Sequence, residues 1–281
     1  MTNMDYEKID AYIKYSHLKV EPFTVDFHLH RGYEIYFLIT GDVDYFVENR
    51  IYPLSYGDLV ITNNHEIHKP AFQSDRLYER ICLEFSPEIV QPFISGSFDL
   101  LHCFKNRNNG EMNKLPLNSN QLNNLLNLFK KIESTGRNPA DGNEILKLVY
   151  LVELLVYINQ LFRKLPLESA HINKIPDSLA PILEYIDKNL DDDLSLSTFE
   201  KKFYINRYYL SKLFKKSVGS NLHNYIMYKR ISRAKVLLSS GYNVMDTCMK
   251  SGFTDYSNFL RAFKRTVGVT PGKYKTTNTG F

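Results

Sequence analysis

Two stretches in the C-terminal part of the chain, Leu210-Ser-Lys-Leu-Phe-Lys-Lys-Ser-Val-Gly219 and Phe259-Leu-Arg-Ala-Phe-Lys-Arg-Thr-Val-Gly268, follow one pattern. Four positions are identical in the two stretches, and two more keep only a basic side chain. At about 100° per residue, the apolar side chains of each stretch collect on one helix face and the basic ones on the opposite face. The sequence therefore predicts one short helix twice, each copy with an apolar back and a basic front.

Capping residues and glycines mark the ends of both predicted helices. Asn206 and Asp255 precede them, where a short polar side chain accepts hydrogen bonds from first-turn amides, and Gly219 and Gly268 close them. Between the copies, residues 222–240 carry an apolar stripe at helical spacing. We expect this central helix to be a rigid strut that places the short helices about 34 Å, one DNA turn, apart.

Charge is distributed unevenly along the 281 residues. Residues 177–281 carry 17 basic and 9 acidic side chains, whereas residues 1–176 carry 18 and 22. Such asymmetry indicates a basic module that meets a polyanion, joined to a module with a different task. Together with the repeated basic helix, it predicts binding to double-stranded DNA.

The predicted basic fronts divide into two kinds of DNA contact. Some side chains are placed to reach base edges in the major groove, where a good bidentate pair contributes about 1–3 kcal/mol. Others are better placed to hold phosphates, which fix register without reading sequence. The candidates for base edges are Tyr208, Ser211, Lys212, Tyr256, Ser257 and Arg261. The candidates for phosphates are Asn206, Arg207, Lys215, Lys216, Lys264 and Arg265.

The second copy belongs to a longer stretch, Gly252-Phe-Thr-Asp-Tyr-Ser-Asn-Phe-Leu-Arg-Ala-Phe-Lys-Arg-Thr-Val-Gly-Val-Thr-Pro-Gly-Lys-Tyr274. Through it, residues 194–275 resemble the DNA-binding domain of the AraC/XylS family of bacterial transcription regulators. The resemblance implies two helix-turn-helix units joined by a central helix, promoter binding, and contact with RNA polymerase, commonly as an activator.

Two residues depart from that family pattern. Glu200 stands where the first unit usually keeps an alanine against the recognition helix, and Cys248 stands at the equivalent place in the second. Cysteine is a small hydrophobe and should fit there. A buried glutamate would need a partner or a shifted helix, which puts the packing of the first unit in question.

Residues 17–85 follow a different pattern, with short β-branched and aromatic runs broken by glycine and proline. This spacing favours an antiparallel barrel or sandwich. Helical spacing takes over at residues 118–132 and 143–164. The fold class is therefore α+β, with a β-barrel (about 17–85) and helices (about 118–164) followed by an all-α domain.

A proline-rich segment separates the two predicted domains. Pro166, Pro176 and Pro181 interrupt the helical pattern, with polar residues between the first two. We place the boundary near residue 175. Residues 1–175 then form the sensing and dimerisation domain, and residues 176–281 form the DNA-binding domain.

The helix predicted at residues 143–164 is apolar on nearly all sides, so it must be covered on more than one. A 3-4 spacing, typical of a helix that pairs with another helix, links Ile145, Leu148, Val152, Leu155, Asn159 and Phe162. We expect the barrel on one side and a second subunit on the other, which gives a homodimer. The alternative is a helix simply buried within one domain.

Three histidines and a glutamate form the sharpest chemical pattern of the N-terminal part. His28-Leu-His30-Arg-Gly-Tyr-Glu34 resembles the first cupin motif, and residues 57–68, ending at His68, resemble a shortened second one. The resemblance implies a small cupin-like barrel. Histidines at i and i+2 lie on the same side of a strand, and with Glu34 and His68 they would form a site for iron, manganese, zinc or nickel.

Two alternatives compete with the metal site. The family resemblance implies a pocket for a small organic effector, lined by some of His28, His30, Glu34 and His68. The histidines are purely structural in the second alternative. No cofactor is expected other than the divalent metal ion that the histidine and glutamate site would bind.

Other features narrow the class of protein. Cys82, Cys103 and Cys248 are odd in number and lack CxxC spacing, which argues against a disulfide framework or a thiolate zinc site. We expect no leader peptide and no membrane span, and hence a soluble cytoplasmic protein. The sequence contains no nucleophile with an obvious base, no phosphate-binding glycine loop and no HExxH, and we expect no enzymatic activity.

The sequence thus predicts a cytoplasmic, effector-responsive transcription activator that reads two successive major grooves with helices 207–217 and 256–266. Its expected partners are promoter DNA, RNA polymerase, a small-molecule effector and a second copy of the chain. Two alternatives remain: a metal-dependent cupin enzyme with an accessory DNA-binding domain, and a constitutive DNA-binding protein whose barrel only dimerises.

Overall fold

The computed structural model describes residues 12–137, 141–165, 173–174 and 178–278. Within these ranges, an N-terminal antiparallel sheet domain precedes a helical C-terminal domain, which confirms the predicted two-domain α+β fold. The predicted boundary near residue 175 and the prolines at 166 and 176 lie outside the described residues.

Nine strands build the described part of the N-terminal domain: β1 (Ile13–Val20), β2 (Tyr33–Thr40), β3 (Val43–Val47), β4 (Arg50–Leu54), β5 (Leu59–Thr62), β6 (His68–Phe72), β7 (Tyr78–Phe85), β8 (Lys114–Leu115) and β9 (Asn173–Lys174). They form two sheets in the orders β1-β7-β2-β5-β8 and β6-β3-β4-β9, and every pairing is antiparallel. The sheets therefore start at Ile13, earlier than the predicted residue 17.

Two of the observed strands, β4 and β6, contain a proline inside the strand. Pro70 lies in β6, which is the edge strand of its sheet. Pro53 lies in β4 beyond Arg50 and Ile51, the two residues that pair with the described part of β9. Proline donates no backbone hydrogen bond, so it is accepted where no neighbouring strand needs that bond.

Helices cover the five-stranded sheet. A 3-10 turn (Pro87–Phe93) and α1 (His102–Lys105) lead to the long helices α2 (Ser119–Arg137) and α3 (Asn143–Phe162). The predicted helices at 118–132 and 143–164 are thus confirmed. By length and composition alone α3 could cross a membrane, with a mean hydropathy of 1.7, contrary to the expectation of no such segment. However, α3 packs against α2 and buries eight residues in the domain core.

The predicted pairing seam of α3 is wrong in its membership. Leu148, Leu155, Asn159 and Phe162 are buried in the domain's own core, where Asn159 hydrogen-bonds to the backbone of Cys103, Leu100 and Leu155. The other two seam members, Ile145 and Val152, lie on the exposed or half-exposed side of α3 together with Leu146, Val149 and Val156. Periodicity could not separate the two faces because nearly the whole helix is apolar.

The C-terminal domain consists of seven helices within the described range: α4 (Ala180–Lys188), α5 (Leu196–Phe203), α6 (Arg207–Val218), α7 (Leu222–Ser239), α8 (Val244–Lys250), α9 (Tyr256–Val267) and α10 (Pro271–Asn278). The two repeated stretches are α6 and α9, and α7 is the central helix between them. Pro181 lies in the first turn of α4 rather than ending a helix, because a proline there removes only an amide that has no helical partner.

One hydrophobic core is shared by both domains. Phe27, Phe46 and Ile67 from the barrel are buried in the same cluster as Phe214 and Tyr225 of the helical domain. The ring of Phe27 lies 5.4 Å from that of Tyr225 in an edge-to-face arrangement. The barrel and the DNA-binding domain are therefore packed together, and α7 lies at the junction.

Gly252 shapes the turn that leads into α9. Its φ of +88° lies in the left-handed region, and a Cβ there would lie 1.9 Å from the backbone oxygen of Leu190. Gly268, which ends α9, has a similar φ of +83° but open space around it. Substitutions at the two glycines can therefore distinguish the cost of backbone strain from the cost of steric overlap.

Gly252→Ala is expected to destabilise the chain by more than about 3 kcal/mol, because strain and overlap with backbone add. Gly268→Ala carries only the strain and is expected to cost about 1–2 kcal/mol. Urea denaturation of the two variants measures both. Equal losses would show that the close approach to Leu190 contributes nothing.

Candidate nucleic-acid interface and histidine cluster

The two repeat helices begin and end as the sequence predicts. The Asn206 side-chain oxygen accepts hydrogen bonds from two first-turn amides of α6 at 2.9 and 3.3 Å, and that of Asp255 accepts one in α9 at 2.6 Å. Gly219 and Gly268 close the helices with φ of 66° and 83°. These caps satisfy amides and carbonyls that have no helical partner.

The predicted DNA contacts form one exposed face on each helix. Ser211 is half-buried, and the other eleven candidate residues are exposed. Behind them, Leu210, Phe214 and Val218 of α6, and Phe259, Phe263 and Val267 of α9, are buried. The Arg207 guanidinium lies 5.2 Å from the ring of Tyr208, and Arg261 donates to the side chain of Asn258.

The two departures at Glu200 and Cys248 are accommodated differently. Cys248 is buried in the domain core, as expected for a small hydrophobe. Glu200 is not buried: it is half-exposed, and its carboxylate accepts a hydrogen bond at 3.3 Å from the amide of Arg207 at the start of α6. A negative charge at a helix N-terminus is stabilising, so the concern about the packing of the first unit is removed.

The structure brings all four residues of the histidine pattern together. Ligand-type atoms of His28, His30, Glu34 and His68 all lie within 4.8 Å of one another. His28 and His68 are joined by two backbone hydrogen bonds of 3.1 and 3.2 Å, which bring the loop before β2 onto the start of β6. Glu34, near the start of β2, lies 2.8 Å from His30 Nε2 and 3.7 Å from His68 Nε2.

Burial and mutual charge set the protonation of this cluster. Burial, followed by the nearby His28, lowers the pKa of His68 to about 3, and burial also lowers the pKa of His28. Burial alone would raise the pKa of Glu34, but the charges of His30 and His68 outweigh it and hold that pKa well below its usual value. Burial alone would lower the pKa of His30, but the adjacent Glu34 raises it. The lowered pKa values favour the neutral forms of His28 and His68, whereas the raised pKa of His30 and the lowered pKa of Glu34 favour an ion pair between those two residues.

Aromatic side chains fill the barrel around the cluster. Tyr36, Tyr45, Tyr52 and Tyr78 are buried there, and the Tyr45 hydroxyl donates to Glu34 at 2.7 Å. A cleft of about 730 Å³ lies outside, between the barrel and the end of α9. Of the four cluster residues, His30 alone lines this cleft.

Comparison with known proteins identifies the family. Residues 17–155 match the family described as AraC-like ligand binding domain, and residues 200–277 match a helix-turn-helix domain. The chain belongs to the AraC family. Residues 200–277 contain a helix-turn-helix domain, as the sequence predicted.

Relatives of this AraC-family chain include an uncharacterized HTH-type transcriptional regulator of Staphylococcus aureus, 25% identical over 89% of this chain and 32% of that protein. The regulatory protein PocR of Salmonella typhimurium is 36% identical over 33% of this chain and 31% of PocR. The chain thus spans about a third of the length of these curated relatives. The structure of Vibrio cholerae ToxT bound to (E)-4-(8-methylnaphthalen-1-yl)but-3-enoic acid is 16% identical, with a TM-score of 0.40 over 95% of this chain and 100% of ToxT.

The central helix of this AraC-family chain makes polar contacts with the barrel that the sequence did not reveal. The Lys235 ammonium donates to the backbone oxygens of His30, at 2.8 Å, and of Asn64. Ser232 donates to the backbone oxygen of His65. Burial, and then the charge of Arg31, lower the pKa of Lys235 to about 7.

A buried ion pair completes this junction. The Lys229 ammonium contacts the carboxylate of Glu48 in the barrel and lies 2.7 Å from Asp187 of α4. Burial alone would lower the pKa of Lys229, but the two carboxylates outweigh it and raise that pKa. The only signal in the sequence is that Lys229, Ser232 and Lys235 recur at helical spacing, which reads equally as a solvated face.

Lys229→Met is expected to destabilise the chain by about 3–5 kcal/mol, because it leaves the Glu48 carboxylate buried without its partner. Lys188→Met, which breaks an exposed pair with Glu184 on α4, is the matched control and should leave the thermal midpoint unchanged. Thermal unfolding measures both. A midpoint for Lys229→Met equal to wild type would mean that the pair contributes nothing.

Proposed function

We propose that this AraC-family regulator binds promoter DNA sequence-specifically, with α6 and α9 in two successive major grooves. The observation that carries the proposal is that both helices present an exposed basic face over a buried apolar back, with the same caps at both ends. An α-helix fits the major groove, and donors on its exposed face reach base edges there. The central helix α7 supplies the spacing of about one DNA turn, ~34 Å.

The side chains divide by their place on the two helices. We assign base reading to Tyr208, Ser211, Lys212, Tyr256, Ser257 and Arg261, and phosphate contacts to Asn206, Arg207, Lys215, Lys216, Lys264 and Arg265. The Asn206 side-chain oxygen is used by its cap, so its amide nitrogen is the group that would donate to a phosphate.

Regulation is the second part of the proposal. The barrel senses an effector, acting in the cytoplasm where the promoter lies, and the DNA-bound chain contacts RNA polymerase as an activator. Support comes from the packing of α7 on the barrel, because a change at the barrel would reach the helix that spaces the two readers. A ligand can shift the arrangement only by binding one state more tightly than the other.

A second candidate, a metal-dependent enzyme with an accessory DNA-binding domain, is favoured by the cluster of His28, His30, Glu34 and His68 alone. The relatives compared above are named as regulators, which supports the regulatory proposal. Turnover by the metal-loaded chain in a substrate screen would favour the enzyme.

We propose further that the chain is a homodimer held by the exposed face of α3. Ile145, Val149, Val152 and Val156 follow the spacing of a helix-pairing seam, and the first two are about half exposed. This face is continuous along the helix, and a second copy would present the same face to it.

Arg261→Ala is expected to reduce discrimination between the cognate site and random DNA by about 1–3 kcal/mol, because it removes a base-edge donor. The cognate site is first selected from random DNA by the full chain. Lys264→Ala, on the same helix, should weaken both DNAs alike and flatten the dependence of affinity on salt. Binding titrations at several salt concentrations test both, and equal weakening of the two DNAs by Arg261→Ala contradicts the assignment.

Val149→Glu is expected to turn the dimer into a monomer, because it places a charge in an apolar contact. Lys130→Glu, at an exposed position of the neighbouring α2, introduces the same acidic side chain away from the seam and should leave the dimer intact. Light scattering after gel filtration gives the mass of each. A dimer that survives Val149→Glu places the subunit contact elsewhere.

A further inference from the structure

We propose that His28, His30, Glu34 and His68 bind one divalent transition-metal ion, and that this ion is the effector that holds the barrel against α7. The first half concerns the site alone. The second half rests on the proposed regulatory function, because it makes the metal the signal that the barrel senses.

The tautomers of two histidines prepare them as ligands. His28 Nδ1 lies 3.1 Å from the backbone oxygen of Asp26, and His68 Nδ1 lies 2.8 Å from that of Glu66. A carbonyl oxygen only accepts, so each Nδ1 carries the proton and each Nε2 keeps its lone pair. Such a hydrogen bond on the far nitrogen is the usual support of a metal-binding histidine.

The lone pair on His68 Nε2 is available to a metal ion at the cluster. Its side chain is 0% exposed, and Nε2 has no hydrogen-bond partner among the described residues. A buried polar atom without a partner is costly, and a metal ion at the cluster would remove that cost. Four ligand atoms already within 4.8 Å of one another need small side-chain shifts to reach the ~3.4 Å separations of a tetrahedral zinc-like site.

The donor set and the space select the class of ligand. Three imidazole nitrogens and one carboxylate suit Zn²⁺, Fe²⁺, Co²⁺ or Ni²⁺, and not the all-oxygen environment of Mg²⁺ or Ca²⁺. The carboxylate of Glu34 is itself held by the Tyr45 hydroxyl at 2.7 Å and the Cys82 thiol at 3.2 Å. Buried tyrosines surround these groups, and the four ligand atoms lie close enough together to coordinate a single ion.

The first two ligand residues belong to a segment that contacts the helical domain. Directly before His28, Asp26 accepts from Ser220 at 2.5 Å and from Asn224 at 2.9 Å, and Phe27 packs on Tyr225. The backbone oxygen of the second ligand residue, His30, accepts from Lys235 at 2.8 Å.

The segment before His68 makes a matching set of contacts. The backbone oxygens of Asn64 and His65 accept from Lys235 and Ser232 of α7. A metal bound to His28, His30 and His68 would therefore cross-link the two barrel segments that receive α7. Removing the metal leaves those segments joined by two backbone hydrogen bonds between His28 and His68.

Metal analysis of the purified full-length chain after loading with Zn²⁺ tests the site. We expect about one zinc per chain, and visible absorption from Co²⁺ in a nitrogen-oxygen site. His30→Gln and Glu34→Gln should each weaken zinc binding at least ~10-fold. His17→Gln, which changes an exposed histidine of β1 outside the cluster, is the matched control and should bind like wild type. Failure of the wild type to bind zinc, or full binding by both cluster variants, overturns the site.

Amide hydrogen exchange and DNA titration, each with Zn²⁺ and with chelator, test the effector role. Exchange in residues 220–235 should slow with zinc in wild type and stay unchanged in His30→Gln, with a matching zinc-dependent change in affinity for the selected DNA site. One bound zinc without either change overturns the effector role and leaves the site standing. Absence of DNA binding with and without zinc instead contradicts the proposed function, while the metal analysis still decides the site.

Discussion

The burial of the central helix α7 between the two domains is the constraint on which the rest of the arrangement depends. One side of α7 packs into the helical core through Ile231, Ala234 and Leu238, and the other side meets the barrel. Lysine side chains on the barrel side of α7 are removed from water. Burying such a group is unfavourable unless it contacts an oppositely charged or hydrogen-bonding group. Glu48, Asp187 and two backbone oxygens supply such groups for Lys229 and Lys235 in the docked position of α7.

This docking ties the barrel most directly to the first repeat helix. Residue 220, directly after α6, donates from its side chain to Asp26 of the barrel, and Asn224 on the next turn donates to the same carboxylate. No linker intervenes between these contacts and the end of α6. A displacement of the barrel segment around Asp26 would therefore move the end of α6 together with the start of α7.

The elements that the sequence predicted well are those whose signals are local. Caps, a glycine stop and a two-faced helical period are all contained within α6 and α9, so no distant partner was needed to recognise them. The contacts of α7 with the barrel were not predicted, because the sequence does not show whether a lysine at helical spacing faces water or a buried carboxylate. The seam on α3 was wrong for a related reason: an all-apolar helix does not reveal which side its own sheet covers. His28, His30 and Glu34 share one segment, whereas the place of His68 depends on strand pairing across the barrel.

The two repeat helices differ in their surroundings more than in their own sequences. Gly219, at the end of α6, lies next to the barrel, since a Cβ there would lie 2.6 Å from the ammonium of Lys69. That ammonium is buried beside Phe27 and Phe46 at the shared core. Gly268, at the end of α9, borders the open cleft and has free space around it. The barrel thus contacts the end of the first helix and leaves the end of the second with open space, so under the proposed function a change in the barrel would reach α6 before α9.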